Sequence, residues 1–126
     1  MKTAHDLVTA ARARISEIAP AAASTALVAA DLVLDVREPD EYAAGHLPGA
    51  VNIPRGLLEF KLSGNPAYER RDLQIVVYCK TGGRAALAAC ALHEMGYVSV
   101  QSVAGGIDAW IAQGGQVAKP APLSFD

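Results

Sequence analysis

Apolar residues near the start of the chain, Ala4, Leu7, Val8, Ala11 and Ile15, recur at helical steps. That spacing predicts an amphipathic helix, and Thr3 with Asp6 forms a capping-box pair in front of it. A short strand is expected around Ile15 to Ile18. Pro20 suits the first position of a second helix, running through Leu27 to about Ala30. The pattern then changes. Leu32-Val33-Leu34-Asp35-Val36 is rich in β-branched residues and reads as a buried strand. Pro39 to Tyr42 reads as a short helical turn stopped by Gly45. Pro48-Gly49 marks a turn before a short strand from Ala50 to Ile53, which Pro54 ends.

Residues 55–74 are polar, with a short helix near Leu57-Leu58 and a surface loop around Gly64-Asn65-Pro66. Ile75-Val76-Val77-Tyr78 is apolar without alternation, which predicts a central strand covered on both faces, as in a parallel sheet. A helix follows Arg84, with Leu87, Ala91 and Met95 on one stripe, Ala88 and Leu92 beside it, and Gly96 as its stop. Val98 to Val103 supplies another strand. Gly105-Gly106 opens a last helix carrying Ile107, Trp110 and Ile111, and Gly114-Gly115 closes it. Strands alternating with helices predict an α/β fold with a parallel sheet flanked by helices on both faces. Ligands of such sheets bind beyond the C-terminal strand ends.

Cys79 stands at such an end. It follows the central strand directly and is followed by Lys80-Thr81-Gly82-Gly83-Arg84, where the next helix begins. Two glycines let the backbone curl so that its amides point inward, with the positive end of the helix dipole behind them. Both effects favour a thiolate, and Arg84 adds a fixed positive charge. The alternative reading of any free cysteine is a small, inert core residue. Cys90 fits that description: it lies among Ala88, Ala89, Ala91 and Leu92 with no glycine loop.

Composition narrows the class further. At 126 residues the chain fits one domain with an ordinary core, and 52% apolar content argues against disorder. A net charge of −2 with scattered Lys and Arg offers no basic stripe for nucleic acid. The two cysteines, Cys79 and Cys90, and the isolated His5, His46 and His93 make no metal-binding spacing, so no metal is expected. The alanine-rich run from Ala21 to Ala30 is too short for a membrane span. Arg12 and Arg14 follow the first apolar residues, the wrong order for a secretory signal. A reactive thiol suits a reducing compartment, and the expected location is the cytoplasm.

Three separated blocks give the chain a family resemblance. The first is Leu34-Asp35-Val36-Arg37-Glu38 with Glu41-Tyr42, Gly45-His46-Leu47-Pro48-Gly49-Ala50 and Asn52-Ile53-Pro54. The second is Tyr78 to Arg84, and the third is Gly105-Gly106-Ile107 with Ala109-Trp110. Together they resemble a single-domain rhodanese of the sulfurtransferase superfamily, over roughly residues 15–118. Residues 1–14 would be an accessory helix and 119–126 a C-terminal tail. The resemblance implies a five-stranded parallel sheet and a Cys79 that carries sulfur without a cofactor. It also implies donors such as thiosulfate or glutathione persulfide, and a thiol or cyanide as acceptor.

By the same resemblance, the four residues between Cys79 and Arg84 match the sulfur-handling members. Phosphatases related to the fold carry five there. Lys80 and Thr81 are expected at the mouth of the loop as contacts for an anionic donor, Gly82 and Gly83 as backbone requirements, and Arg84 as a loop-organising cation facing a carboxylate. Asp35, Arg37 and Glu38 are read as buried charge pairs that brace the fold, His46 as a hydrogen bonder in its turn, and Trp110 as core. Ala85 departs from similar proteins, which often place serine there, and this puts catalytic efficiency in question. The leading function is an enzyme that moves sulfane sulfur through a Cys79 persulfide. The rivals are a relay module loaded only by a dedicated sulfur-relay protein, and an inactive interaction domain, which the intact cysteine disfavours.

Overall fold

A computed structural model describes residues 1–120. Its elements follow in chain order: α1 (Ala4–Arg12), β1 (Ser16–Ile18), α2 (Pro20–Ala29), β2 (Leu32–Asp35), α3 (Pro39–Ala44), β3 (Val51–Asn52), α4 (Leu58–Ser63), β4 (Gln74–Tyr78), α5 (Gly83–Glu94), β5 (Ser99–Val103) and α6 (Gly106–Ala112). The five strands form one sheet in the order β1-β5-β4-β2-β3, and every pairing is parallel. The expected α/β architecture is therefore the observed one.

The apolar run in β4 is explained by burial on both faces. Side chains alternate across a strand. Ile75, Val77 and Cys79 enter a core with Ala85, Ala88 and Leu92 of α5. Val76 and Tyr78 enter a second core with Ala23 of α2 and Ile107 and Trp110 of α6. Trp110 is buried, as the sequence suggested, and its indole N–H donates to the Gln116 carbonyl at 2.7 Å.

Several boundaries shift. Strand β2 stops at Asp35, one residue earlier than expected, because Val36 has left the ladder although its amide still bonds the Tyr78 carbonyl at 3.1 Å. Helix α5 starts at Gly83, not at Arg84. The polar stretch of residues 55–74 holds more structure than its composition indicated. A 3-10 turn (Arg55–Leu57) runs into α4, which buries Leu58 and Leu62, and a second 3-10 turn covers Pro66–Tyr68. Helix α1 is capped by Thr3 and Asp6 as predicted and lies against α5. Of the expected C-terminal tail, residues 121–126 lie outside the described residues. Ala118 pairs with the backbone of His46 at 2.8 Å in both directions.

Register positions the site. Asp35 of β2 pairs with Tyr78 of β4, and Val77 pairs with Ser102 of β5. These three strands end level, so the loops after them gather at one edge of the sheet, with Cys79 in the middle one.

Candidate active site

Cys79 is the first residue beyond β4, and strand alternation turns its side chain toward α5. The residue is 1% exposed. Its Sγ accepts the Gly82 amide at 3.1 Å and the Ala85 amide at 3.4 Å. Gly82 takes φ +114°, a conformation that glycine adopts without steric cost, and it serves as the N-cap of α5. The loop thus wraps the sulfur in backbone donors at the positive end of a twelve-residue helix. The Ala85 contact comes from the backbone, so a serine hydroxyl at that position is not needed for it.

Carbonyls of the same loop turn away from the sulfur. The Ile107 amide donates to the Cys79 carbonyl at 2.9 Å, and the Asp108 amide to the Lys80 carbonyl at 3.1 Å. This first turn of α6 comes so close that a Cβ on Gly106 would collide with both carbonyl oxygens. Lys80 and Thr81 are exposed at the tip, where the sequence placed them. Lys80 Nζ is engaged by Asp108 Oδ2 at 2.8 Å. A groove of about 300 Å³ opens beside them between α3 and α6, lined in part by Arg37, Glu41, Gly45, Lys80 and Ile107. A larger hollow of about 460 Å³, beside Leu27, Val28 and Trp110, shares no residue with the sulfur loop.

Arg84 faces a carboxylate, and the carboxylate is that of Glu41. Nη1 donates to Oε1 at 2.8 Å and Nη2 to Oε2 at 3.1 Å. The Glu38 amide also donates to Glu41 Oε1, at 3.1 Å. The Arg84 guanidinium is the main cause that holds the Glu41 carboxyl down at about 2, and the pairing raises the Arg84 value in turn. Like Asp108, which engages Lys80, Glu41 is a site residue that the sequence analysis did not single out. It lies in the first block, but nothing in a separation of 43 residues points to its partner.

Asp35 and Arg37 form the buried pair that was expected. Arg37 Nη2 donates to Asp35 Oδ2 at 2.7 Å and to the Gly45 carbonyl at 2.7 Å, and the Tyr78 hydroxyl donates to Asp35 Oδ2 at 2.7 Å. The Leu47 amide donates to that hydroxyl at 3.1 Å. Burial opposes the charge on Arg37, but its bonds and proximity to Asp35 outweigh this and raise its pKa. Burial is also the leading cause that drives the Tyr78 phenol upward. The network ties the β2, α3 and β4 ends together.

One sequence expectation needs correction. Glu38 is exposed and belongs to no buried pair, because it is the N-cap of α3, where the chain turns out to solvent. His46 is buried in its turn, stacked on Tyr42 with centroids 4.0 Å apart, and its Nδ1 lies 2.8 Å from the Leu47 carbonyl. Cys90 is part-buried under α1, with Sγ 3.7 Å from the Ala11 carbonyl. Both cysteines are free thiols.

Comparison with known proteins agrees with this geometry. The family described as rhodanese-like domain matches residues 20–113. A sulfurtransferase of Allochromatium vinosum is 35% identical over 89 residues, covering 71% of this chain and 79% of the relative. The chloroplastic thiosulfate sulfurtransferase 16 of Arabidopsis thaliana is 33% identical over 109 residues, covering 79% and 89%. Among solved structures, a Rhodopseudomonas palustris protein of unknown function, described as a possible tyrosine phosphatase, superposes with a TM-score of 0.84. It is 30% identical, over 94% of this chain and 96% of the other. With the family match covering most of the chain and relatives matched over most of their own length, the chain belongs to the rhodanese-like domain family.

Proposed function

We propose that this chain is a rhodanese-type sulfurtransferase that carries sulfur on Cys79 and takes it from thiosulfate or a small persulfide. One observation carries the reading: the buried Sγ, held by two backbone amides at the N-terminus of α5. In the loading step the Cys79 thiolate attacks the outer sulfur of thiosulfate. The bond between the two donor sulfurs breaks, sulfite leaves with the electron pair, and a Cys79 persulfide anion remains. In the second step a thiol or cyanide takes the outer sulfur and the thiolate is restored. The amides stabilise the anionic sulfur throughout, and no general base is required. Lys80 and Thr81 are the donor contacts in this reading, with the groove beside Lys80 as the approach. Arg84 with Glu41, and Asp35 with Arg37, hold the loop ends in place. A reducing compartment such as the cytoplasm keeps the thiol ready. No helix among the described residues is long and apolar enough to cross a membrane.

The relay alternative is not favoured, since the cradle is complete within this chain and relatives of similar length are named sulfurtransferases. The phosphatase description of the structural relative is set against the short loop. Four residues between Cys79 and Arg84 make a ring suited to one sulfur, not to three phosphoryl oxygens.

Intact-mass spectrometry after exposure to thiosulfate tests the reading. One added sulfur is expected, removed by cyanide, absent from Cys79→Ser and retained in Cys90→Ser. Loading that survives Cys79→Ser overturns it. Parallel turnover with thiosulfate, glutathione persulfide and 3-mercaptopyruvate ranks the donors, with mercaptopyruvate expected last.

A further inference from the structure

The match to the family begins at residue 20, yet helix α1 lies before it and reaches the sulfur loop. Val8 Cγ2 stands 3.6 Å from where a Cβ on Gly83 would be, and Arg12 Nη2 stands 3.1 Å from the corresponding point on Gly82. Gly82 is the residue whose amide bonds Cys79 Sγ at 3.1 Å. Covalent geometry then places the Arg12 guanidinium no farther than about 9 Å from the sulfur.

Charges around the loop make this contact informative. Arg37, Lys80 and Arg84 are each matched by a carboxylate, at 2.7, 2.8 and 2.8 Å, so each pair is neutral to a distant anion. Arg12 is paired more loosely. Its Nε lies 3.9 Å from Glu17 Oε2, while Nη2 is turned to the loop. Loading brings a dianion to a thiolate, and three negative charges repel at close range. A cation within a Debye length offsets that repulsion in proportion to the charge on the donor.

We infer that Arg12, delivered by α1, is a specificity-determining residue of the loading step, selecting doubly charged sulfane donors over singly charged ones. The inference rests on the sulfur-transfer reading above. Arg12 acts through the potential at Cys79 and takes no part in bond exchange.

Thiosulfate and methanethiosulfonate make the test, because both present a terminal sulfur on a sulfonyl group and differ by one charge. In Arg12→Met, kcat/KM for thiosulfate is expected to fall about fivefold and that for methanethiosulfonate only about twofold, since the logarithm scales with donor charge. Arg12→Lys should restore most of both. Added salt should slow thiosulfate loading more in the parent than in Arg12→Met. Transfer from a preformed persulfide to a thiol, which reacts as a singly charged thiolate, should fall by no more than about twofold, as for methanethiosulfonate. Arg12→Gln gives the same readout if the methionine variant disturbs α1. Equal losses on the two donors, or none, overturn the inference. Absence of sulfur on Cys79 in the parent protein instead overturns the sulfur-transfer reading, so the two failures are distinct.

Discussion

Arg84 and Glu41, 43 positions apart, meet through two parallel hydrogen bonds of 2.8 and 3.1 Å. The pair joins the first turn of α5, directly behind the sulfur loop, to α3 at the neighbouring strand end. In the reading proposed above, the pair holds the loop in position and leaves Arg84 a weak direct ligand for substrate.

Removing the carboxylate should therefore loosen the loop more than the fold. Glu41→Gln is expected to lower kcat/KM for sulfur transfer on the order of tenfold, because reacting groups misplaced by a fraction of an ångström lose much of their advantage. Stability should change by less than about 1 kcal/mol, since the pair is partly exposed. Steady-state kinetics together with urea unfolding checks both.

Acid should erase that difference in a defined window. The Glu41 carboxyl is lowered from 4.5 to about 2, so its stabilising effect stands in full above pH 4.5 and is lost as pH falls toward 2. Unfolding midpoints of the parent and Glu41→Gln should converge across this interval. A gap already closed at pH 6, or one undiminished at pH 2, contradicts the assignment.

Gly106→Ala should be among the most damaging small substitutions. Gly106 has φ +63°, and a methyl there meets the Cys79 and Lys80 carbonyl oxygens. We expect a loss of roughly 3 kcal/mol and a poorly loaded Cys79. Thermal unfolding and mass spectrometry report the two effects separately.

Tyr78→Phe separates bracing from chemistry. It strips a bond from Asp35 Oδ2 and leaves the buried Leu47 amide without its acceptor. A cost of about 1–3 kcal/mol is expected, with sulfur loading retained once the protein is folded. Loading abolished in folded Tyr78→Phe would give the phenol a chemical role.

In the proposed reading, selectivity follows from loop length. The unmodified protein should hydrolyse no aryl phosphate, and thiosulfate or sulfite should protect Cys79 from alkylation better than phosphate or arsenate. Inserting one glycine between Gly82 and Gly83 should impair sulfur transfer. Robust phosphatase activity in the parent would overturn the sulfur assignment and support the description carried by the structural relative.

Much of this molecule was legible in its sequence because local signals and burial agreed. The unbroken Ile75–Tyr78 run read as a doubly covered strand, and two glycines after Cys79 read as a curled loop. What escaped was pairing across space. Glu41 lies in the same block as Tyr42, but only the fold brings it to Arg84. Glu38 looked equivalent to Asp35 and Arg37, yet the chain leaves the core one residue after Arg37. A short helix was expected near Leu57-Leu58, but its extent to Ser63 and the burial of Leu62 were not, since a helix of six residues shows too few turns for a clear period. The approach of Arg12 to Gly82 depends on the angle of α1 over α5, which no spacing encodes.

Cys79 is 1% exposed, and this sets what the outside world can touch. In the proposed reading, a sulfur bonded to it would stand about 2 Å from Sγ. A thiol so buried is shielded from bulky oxidants, and in that reading the outer sulfur is the atom that an acceptor attacks. Unloaded, the protein hides its reactive centre; charged, it offers only the atom it is meant to give away.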